Sequence, residues 1–252
     1  MIFLKSPEQI EIMNEANLIV HSALDIVEKN IKPGMTTEEI DALVEAEILR
    51  HNAKPAFKGY KGFKHATCIS VNEIVVHGIP NKRIVKDGDV IGVDVGANYK
   101  GFFGDAARTL IVGNTSAEIK KLVEETKRAL YAGIEQMREG NRLYDINAAI
   151  EKVAKENKYG IVKGLCGHGI GGGIGGGLHE KPNIFNYVEY AEPNIRLKNG
   201  MCYAIEPMFV LGNPAVEILN DGWTVSTKNK NMAAHWELSI AITQSGPKIL
   251  GV

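Results

Sequence analysis

The chain has 252 residues, 44% of them hydrophobic and 23% charged, and its 29 basic against 30 acidic side chains leave a formal net charge of −1. That length allows one substantial buried core, and the near-neutral balance excludes bulk attraction to nucleic acid or an anionic membrane. Cys68, Cys166 and Cys202 are odd in number and lack CxxC spacing, which argues for a reducing, cytoplasmic setting, and the sequence has neither a signal-peptide-like start nor an apolar run of the roughly 18 residues a membrane helix needs.

Ser6-Pro7-Glu8 opens a segment in which Ile10, Met13, Leu18, Ala23 and Ile26 recur among polar residues. Ser6 can cap and Pro7 fits the first turn, so this segment predicts a long amphipathic helix. After Lys32-Pro33-Gly34, Thr37 is the expected N-cap of a second helix to Arg50, with Ile40, Leu43, Val44, Ala46 and Ile48 as its apolar face. Residues 66 to 112 change character: Ile69, Val71, Ile74, Val75 and Val76, then Val90, Ile91, Val93 and Val95, punctuated by Gly and Asp, predict strands and hairpins. From Ser116 the helical period returns through Ile119, Leu122, Val123, Ala129, Leu130, Ile134 and Met137. It breaks at Glu139-Gly140, and a fourth helix is expected from about Tyr144 to Glu156 before the chain returns to strands.

This order is an internal repeat that recurs at fixed spacings. Gly34 stands six residues before Ile40, as Gly140 stands six before Ile146. Lys86-Asp87-Gly88 leads to Asp94 as Lys198-Asn199-Gly200 leads to Glu206, with Gly88 and Gly200 each six residues before the acid. The intervals Gly34 to Gly88 and Gly140 to Gly200 are 54 and 60 residues. The expectation is one α+β domain over 1–252, built from halves of about 1–112 and 113–252 that face each other across a pseudo-twofold axis.

Asp94 lies inside the apolar run IGVDV, and a turn at Asn98-Tyr99-Lys100-Gly101 would fold Asp105 back towards it. With Tyr99-Lys100 as a two-residue loop, Asp94 would face Asp105 directly. Glu206 in CYAIEPMFV and Glu237 in AHWELSIAI are likewise single carboxylates in apolar strands. Burying such groups unpaired is very costly, whereas hard divalent cations accept their oxygens readily. Four carboxylates with an imidazole suit Mn, Fe, Co or Zn, and exceed what one ion needs for neutrality, so two ions are expected. The stretch GHGIGGGIGGGLHE, residues 167 to 180, could suggest a phosphate loop, but no Lys-Ser or Lys-Thr follows and it does not open a helix. His77, His168 and His179 in glycine-rich surroundings instead suggest a place where metal or substrate approaches the backbone closely.

The segments VVHGIP (75–80), VDVGANYKGFFGDAAR (93–108), GHGIG (167–171), HEKP (179–182), AIEPM (204–208), DGWTVSTK (221–228) and HWELS (235–239) resemble the type I methionine aminopeptidases of bacteria over essentially the whole chain. The resemblance implies the pita-bread fold, a curved antiparallel sheet covered by helices. It also implies removal of the initiator methionine from nascent chains with a small second residue. By position it implies metal ligands Asp94, Asp105, His168, Glu206 and Glu237, with Asp105 and Glu237 bridging two divalent ions whose shared water attacks the peptide carbonyl. Glu206 would also accept that water's proton, His179 would stabilise the oxyanion, and His77 would hold the scissile amide. Tyr60, Phe63, Cys68, Leu178 and Trp223 would line the methionine pocket. The implied partner is the N-terminus of a nascent polypeptide, with a transient ribosome contact, no nucleic-acid readout, no membrane and a monomeric state. The 31 residues from Glu206 to Glu237 leave no room for the helical insertion of type II enzymes.

Two features depart from the family pattern. Members usually have Gln two residues before the last glutamate and His just after it, where this chain has His235 and Leu238; His235 is a candidate donor or competing ligand. The family's two histidines stand seven steps apart, whereas His168 and His179 are eleven apart. Ile170-Gly171-Gly172-Gly173 is repeated as Ile174-Gly175-Gly176-Gly177, and deleting one copy restores the shorter spacing, so the loop reads as a tandem insertion expected to bulge into solvent. Prolidases and proline-directed aminopeptidases of the same fold carry similar ligands, and non-catalytic modules of this fold lose them; the VHGIP and DGWTV segments and the complete ligand set favour the methionine enzyme.

Overall fold

The computed structural model describes residues 2–252. Four helices, α1 (Pro7–Asn30), α2 (Thr37–Arg50), α3 (Ala117–Glu135) and α4 (Leu143–Asn157), cover antiparallel sheets. Ser6 begins α1 with a capping box: its side chain accepts from Gln9 N, and Gln9 Oε1 accepts from Ser6 N at 3.0 Å. Burial of Ile10, Met13, Ala23 and Leu24 fixes the inner face of α1. The cap of α2 is Thr36, not Thr37, because the box Thr-x-x-Glu falls on Thr36 and Glu39, which exchange bonds of 3.2 and 2.7 Å. Thr37 is instead buried, its hydroxyl donating to Asn81 O and accepting from Asn81 N, both at 2.8 Å.

The first half is dominated by the hairpin of strands Val90–Tyr99 and Phe102–Ile111. Its register runs from Tyr99 opposite Phe102 to Val90 opposite Ile111, so the loop is Lys100-Gly101 rather than Tyr99-Lys100. Both loop residues have positive φ, 51° and 83°, as a type I′ turn requires, and Gly at the second position meets that demand without strain. Asp94 therefore pairs with Ala107, and Asp105 with Gly96. The carboxylates do not face each other directly. They are diagonal neighbours, and the two-residue offset preserves the strand period, so they share one face.

In the second half a five-stranded sheet joins Gly167–Gly169 to Cys202–Ile205 and Leu238–Thr243, with Glu180–Ile184 and Gly246–Ile249 at its edges. Corresponding hydrogen bonds recur at the positions the sequence repeat marks. Gly34 N donates to Val85 O and Gly140 N to Leu197 O, at 2.9 and 3.1 Å. Gly88 N donates to Val112 O and Gly200 N to Ile242 O, at 2.7 and 2.9 Å. Between the halves, Ala107 and Glu237 exchange both backbone bonds, at 3.1 and 3.0 Å. Beside them Thr109 Oγ1 donates to His235 O at 2.6 Å, and Ser239 Oγ donates to Asp105 O at 2.8 Å. The midpoint of this reciprocal pattern lies between Ala107 and Glu237, the latter itself one of the buried acids.

Candidate active site

The hairpin brings Asp94 and Asp105 to one face, and the backbone pairing with Ala107 lays Glu237 beside them. His168 pairs with Ala204, two residues before Glu206 on the neighbouring strand. His168 Nε2 consequently stands 3.8 Å from Asp105 Oδ2, 3.7 Å from Glu206 Oε1 and 3.9 Å from Glu237 Oε1. Asp105, His168 and Glu237 each offer a ligand atom, and these atoms lie within 4.8 Å of one another. His168 Nδ1 donates to Gly169 O at 2.9 Å, which turns the Nε2 lone pair towards the acids.

The electrostatics of this cluster favour a bound cation. Burial holds Asp94 up at about 7. Burial also raises Asp105, Glu206 and Glu237 far above the ordinary carboxylate range, with neighbouring carboxylates adding to the shift. Asp94 Oδ1, Asp105 Oδ1 and Glu237 Oε1 are buried without a hydrogen-bond partner. Burial lowers His168 to about 4, so its imidazole is neutral. A neutral imidazole amid unpartnered carboxylate oxygens, converging at distances too long for hydrogen bonds, fits hard or borderline divalent ions, which would replace the protons these acids otherwise retain.

Beside the cluster opens a cavity of about 470 Å³ lined by Tyr60, Phe63, Cys68, His77, His179 and Trp223 as well as by the acids and His168. The rings of Phe63 and Trp223 meet edge to face at 5.1 Å, and those of Tyr60 and His179 lie 5.0 Å apart. Burial pushes the Cys68 thiol well up, so it remains a neutral, soft wall. Leu178 is not on the cavity surface; it is buried in the apolar cluster of Phe57, Phe63 and Cys68. Phe57, Lys61, Cys166, Lys181 and Asn183 also line the cavity and were not singled out from the sequence. The alternation of aromatic and basic residues in FKGYKGF is the signal that could have found Phe57 and Lys61, whereas nothing local marks Asn183.

His77 adopts a left-handed backbone with φ 59°. The next residue must be Gly for a separate reason: a Cβ at Gly78 would lie 2.1 Å from Ile69 O, and the close approach is used by a bond from Ile69 N to Gly78 O at 2.8 Å. His179 sits with its ring centroid 4.4 Å from that of His168, despite the eleven intervening steps. The loop between them is closed by Gly171 N donating to Gly177 O at 3.1 Å, while Gly173 N donates to Gly101 O at 3.1 Å. Ile174 at its tip is fully exposed. After the loop, Glu180 accepts from Gly177 N at 3.0 Å and pairs with the buried Lys5 ammonium at 2.5 Å, which anchors the segment that carries His179. Burial, reinforced by His168, His77 and Lys61, lowers His179 to about 3, so this ring is also neutral.

A fold that sets a buried carboxylate–imidazole cluster on paired half-sheets defines a class of metal-dependent hydrolases. The sequence model for metallopeptidase family M24 matches residues 11–244, and the chain belongs to that family. Methionine aminopeptidase 1 of Bacillus subtilis is 44% identical over 252 residues, covering 99% of each chain. The crystal structure of methionine aminopeptidase from Thermotoga maritima superposes with a TM-score of 0.95 at 42% identity, covering 100% of this chain and 99% of that one. The prolidase from Pyrococcus furiosus shares the pita-bread architecture at a TM-score of 0.80 and 26% identity, but only 65% of that longer chain is matched.

Proposed function

We propose that the chain is a methionine aminopeptidase, which hydrolyses the peptide bond after the initiator methionine of nascent proteins and peptides and prefers a small second residue. The observation that carries this reading is the junction of a chamber walled by Tyr60, Phe63, Cys68 and Trp223 with the acids and His168 in one cavity. Aromatic faces and a neutral thiol suit a flexible thioether side chain, and a substrate seated there places its first carbonyl over the cluster.

Asp94, Asp105, His168, Glu206 and Glu237 would hold two divalent ions from among Co, Mn, Fe and Zn, with Asp105 and Glu237 shared. When bound, such ions supply Lewis acidity and lower the pKa of water towards neutrality. Glu206, which lines the cavity beside the other acids, would accept the proton of the attacking water. His179, held neutral by burial, keeps one ring N–H, which would donate to the developing oxyanion. Burial likewise lowers His77, and its ring, 6.4 Å from Trp223 at 87°, lines the cavity, where it would hold the scissile amide.

The whole of 1–252 acts as one catalytic domain with halves of about 1–112 and 113–252, working as a monomer in the cytoplasm. It meets its substrates as they emerge, through a transient ribosome contact, without reading nucleic acid; no helix among the described residues is long and apolar enough to cross a membrane. The test compares kcat/KM on Met-Ala-Ser, Met-Leu-Ser and a Xaa-Pro peptide with metal-loaded protein. Strong preference for the first is expected. Equal cleavage of the first two, or preference for the third, overturns the reading.

A further inference from the structure

His235 lies outside the ligand set assigned above, yet its buried ring faces Glu206. It is 3% exposed, and its Nε2 has no hydrogen-bond partner. Its backbone is clamped on both sides by Thr109, whose hydroxyl donates to His235 O and accepts from His235 N at 2.9 Å. The ring is thereby held with Nε2 3.7 Å from Glu206 Oε2. The other oxygen of the same carboxylate, Oε1, is 3.7 Å from His168 Nε2. Glu206 is thus flanked by two imidazoles, one at each oxygen, and neither gap is short enough for a hydrogen bond. Donors on a common ion at about 2.0 to 2.2 Å from it stand about 3 to 4 Å from one another, and His168 keeps this separation from each of its three carboxylates.

The internal repeat gives an independent reason. The bond from Thr109 to His235 and the bond from Ser239 to Asp105 are mirror counterparts, as are the two bonds between Ala107 and Glu237. Under this correspondence His235 occupies in the second half the place of Asp105 in the first, and Glu206 the place of Asp94. The first half presents Asp94 and Asp105 to the centre; the second presents Glu206 and His235.

Resting on the dinuclear reading above, we infer that His235 is a further metal ligand, binding through Nε2 the ion next to Glu206 Oε2, while His168 serves the ion next to Oε1. Each ion then has one imidazole. The additional nitrogen donor biases the pair towards Fe, Co or Zn over Mn, since imidazole suits the former and carboxylate-rich sites the latter.

The test uses the metal-free full chain reloaded with two equivalents of Zn2+, read by X-ray absorption at the zinc edge and by calorimetric titration. Wild type is expected to show an average of one imidazole per zinc, and this measurement needs no variant. His235→Gln keeps a hydrogen-bond donor but offers no imidazole; it is expected to halve the imidazole count and weaken one of the two sites by at least about tenfold while leaving the other unchanged. An average of one imidazole per two zincs in wild type, or a His235→Gln protein with two sites of wild-type affinity, overturns the inference and leaves the dinuclear reading intact. Uptake of a single zinc by wild type overturns the dinuclear reading itself and this inference with it.

Discussion

The two halves share a hydrogen-bond frame yet build their parts of the site differently. The first supplies Asp94 and Asp105 from a regular hairpin of two ten-residue strands, in which backbone register alone fixes where the carboxylates lie. The second supplies His168, Glu206 and Glu237 from strands of three to six residues or from the residues beside them, with a register shift after His168 and an enlarged glycine loop before His179. A long regular ladder tolerates little change of spacing, because a slip of one residue turns its side chains to the other face. A short strand followed by a loop absorbs extra residues as long as the loop ends stay pinned, here by the Gly171–Gly177 bond and by Glu180 with Lys5. The longer glutamate and imidazole side chains of the second half reach inward from a less regular frame.

The comparison would break most visibly at Asp105. Asp105→Asn is expected to lose tight binding of the metal pair and to lower kcat/KM about 10³-fold or more, the scale of several kcal/mol of Lewis-acid stabilisation. Metal content and turnover measured together check this; full metal and normal turnover would mean that the hairpin does not provide the bridge. On the other half, His179→Ala should lower kcat on Met-Ala-Ser by about two to three orders of magnitude, the usual loss for a transition-state donor. An alanine variant within tenfold of wild type would mean that the enlarged loop has displaced the catalytic histidine.

A smaller effect concerns the proton load shared by both halves. Asp94 has a metal-free pKa of about 7, raised by burial from the ordinary 3.8, and burial and neighbouring carboxylates raise the other three acids well above their ordinary range. Groups raised in the folded state favour folding while protonated, and this contribution is lost as pH rises through the folded pKa. Between pH 7 and 9 the buried histidines, lowered to about 3 or 4, oppose this weakly near pH 7, where unfolded histidines still hold a small share of protons, and add no slope at the upper end of the window. Metal-free protein should therefore lose stability over that window, about 0.4 kcal/mol from Asp94 alone, with the raised thiols adding to the loss, and excess divalent ion should remove the carboxylate part. Scanning calorimetry at the two pH values with and without metal decides it; a flat metal-free profile would contradict the raised carboxylates.

The smallest expected effect is in the loop itself. Deleting one copy of the duplicated tetrapeptide, leaving GHGIGGGLHE, should keep kcat/KM within about twofold of wild type or raise it slightly, since closing eleven rather than seven residues costs only roughly 0.4 kcal/mol. An inactive deletion would show that the added residues set the position of His179.

Much of this was legible because it depends on local chemistry. Capping residues and helical periodicity locate all four helices, with α2 displaced by one residue at its cap because Thr36, rather than Thr37, has its glutamate partner three positions on. Lone acids in apolar runs mark Asp94, Asp105, Glu206 and Glu237, since a buried carboxylate without a cation is too costly to be incidental. The hairpin register was misplaced by two because alternation alone does not say which two residues form the turn; the positive φ values of Lys100 and Gly101 decide that. Leu178, which the resemblance implies for the methionine pocket, packs in the apolar cluster with Phe57, Phe63 and Cys68, a placement that depends on tertiary packing.

The sequence by itself determined the elements, the repeat and the kinds of donor available, because periodicity, capping and the cost of buried charge act within a few residues or on each residue alone. Only the tertiary structure decided which donors converge. The cross-axis bonds between Ala107 and Glu237 and between Thr109 and His235 join residues more than a hundred positions apart and bring His235 to one oxygen of Glu206, while the pairing of His168 with Ala204 brings His168 to the other. Such convergence depends on how two half-sheets dock, which is governed by packing across the whole core and is written in no single stretch of the chain.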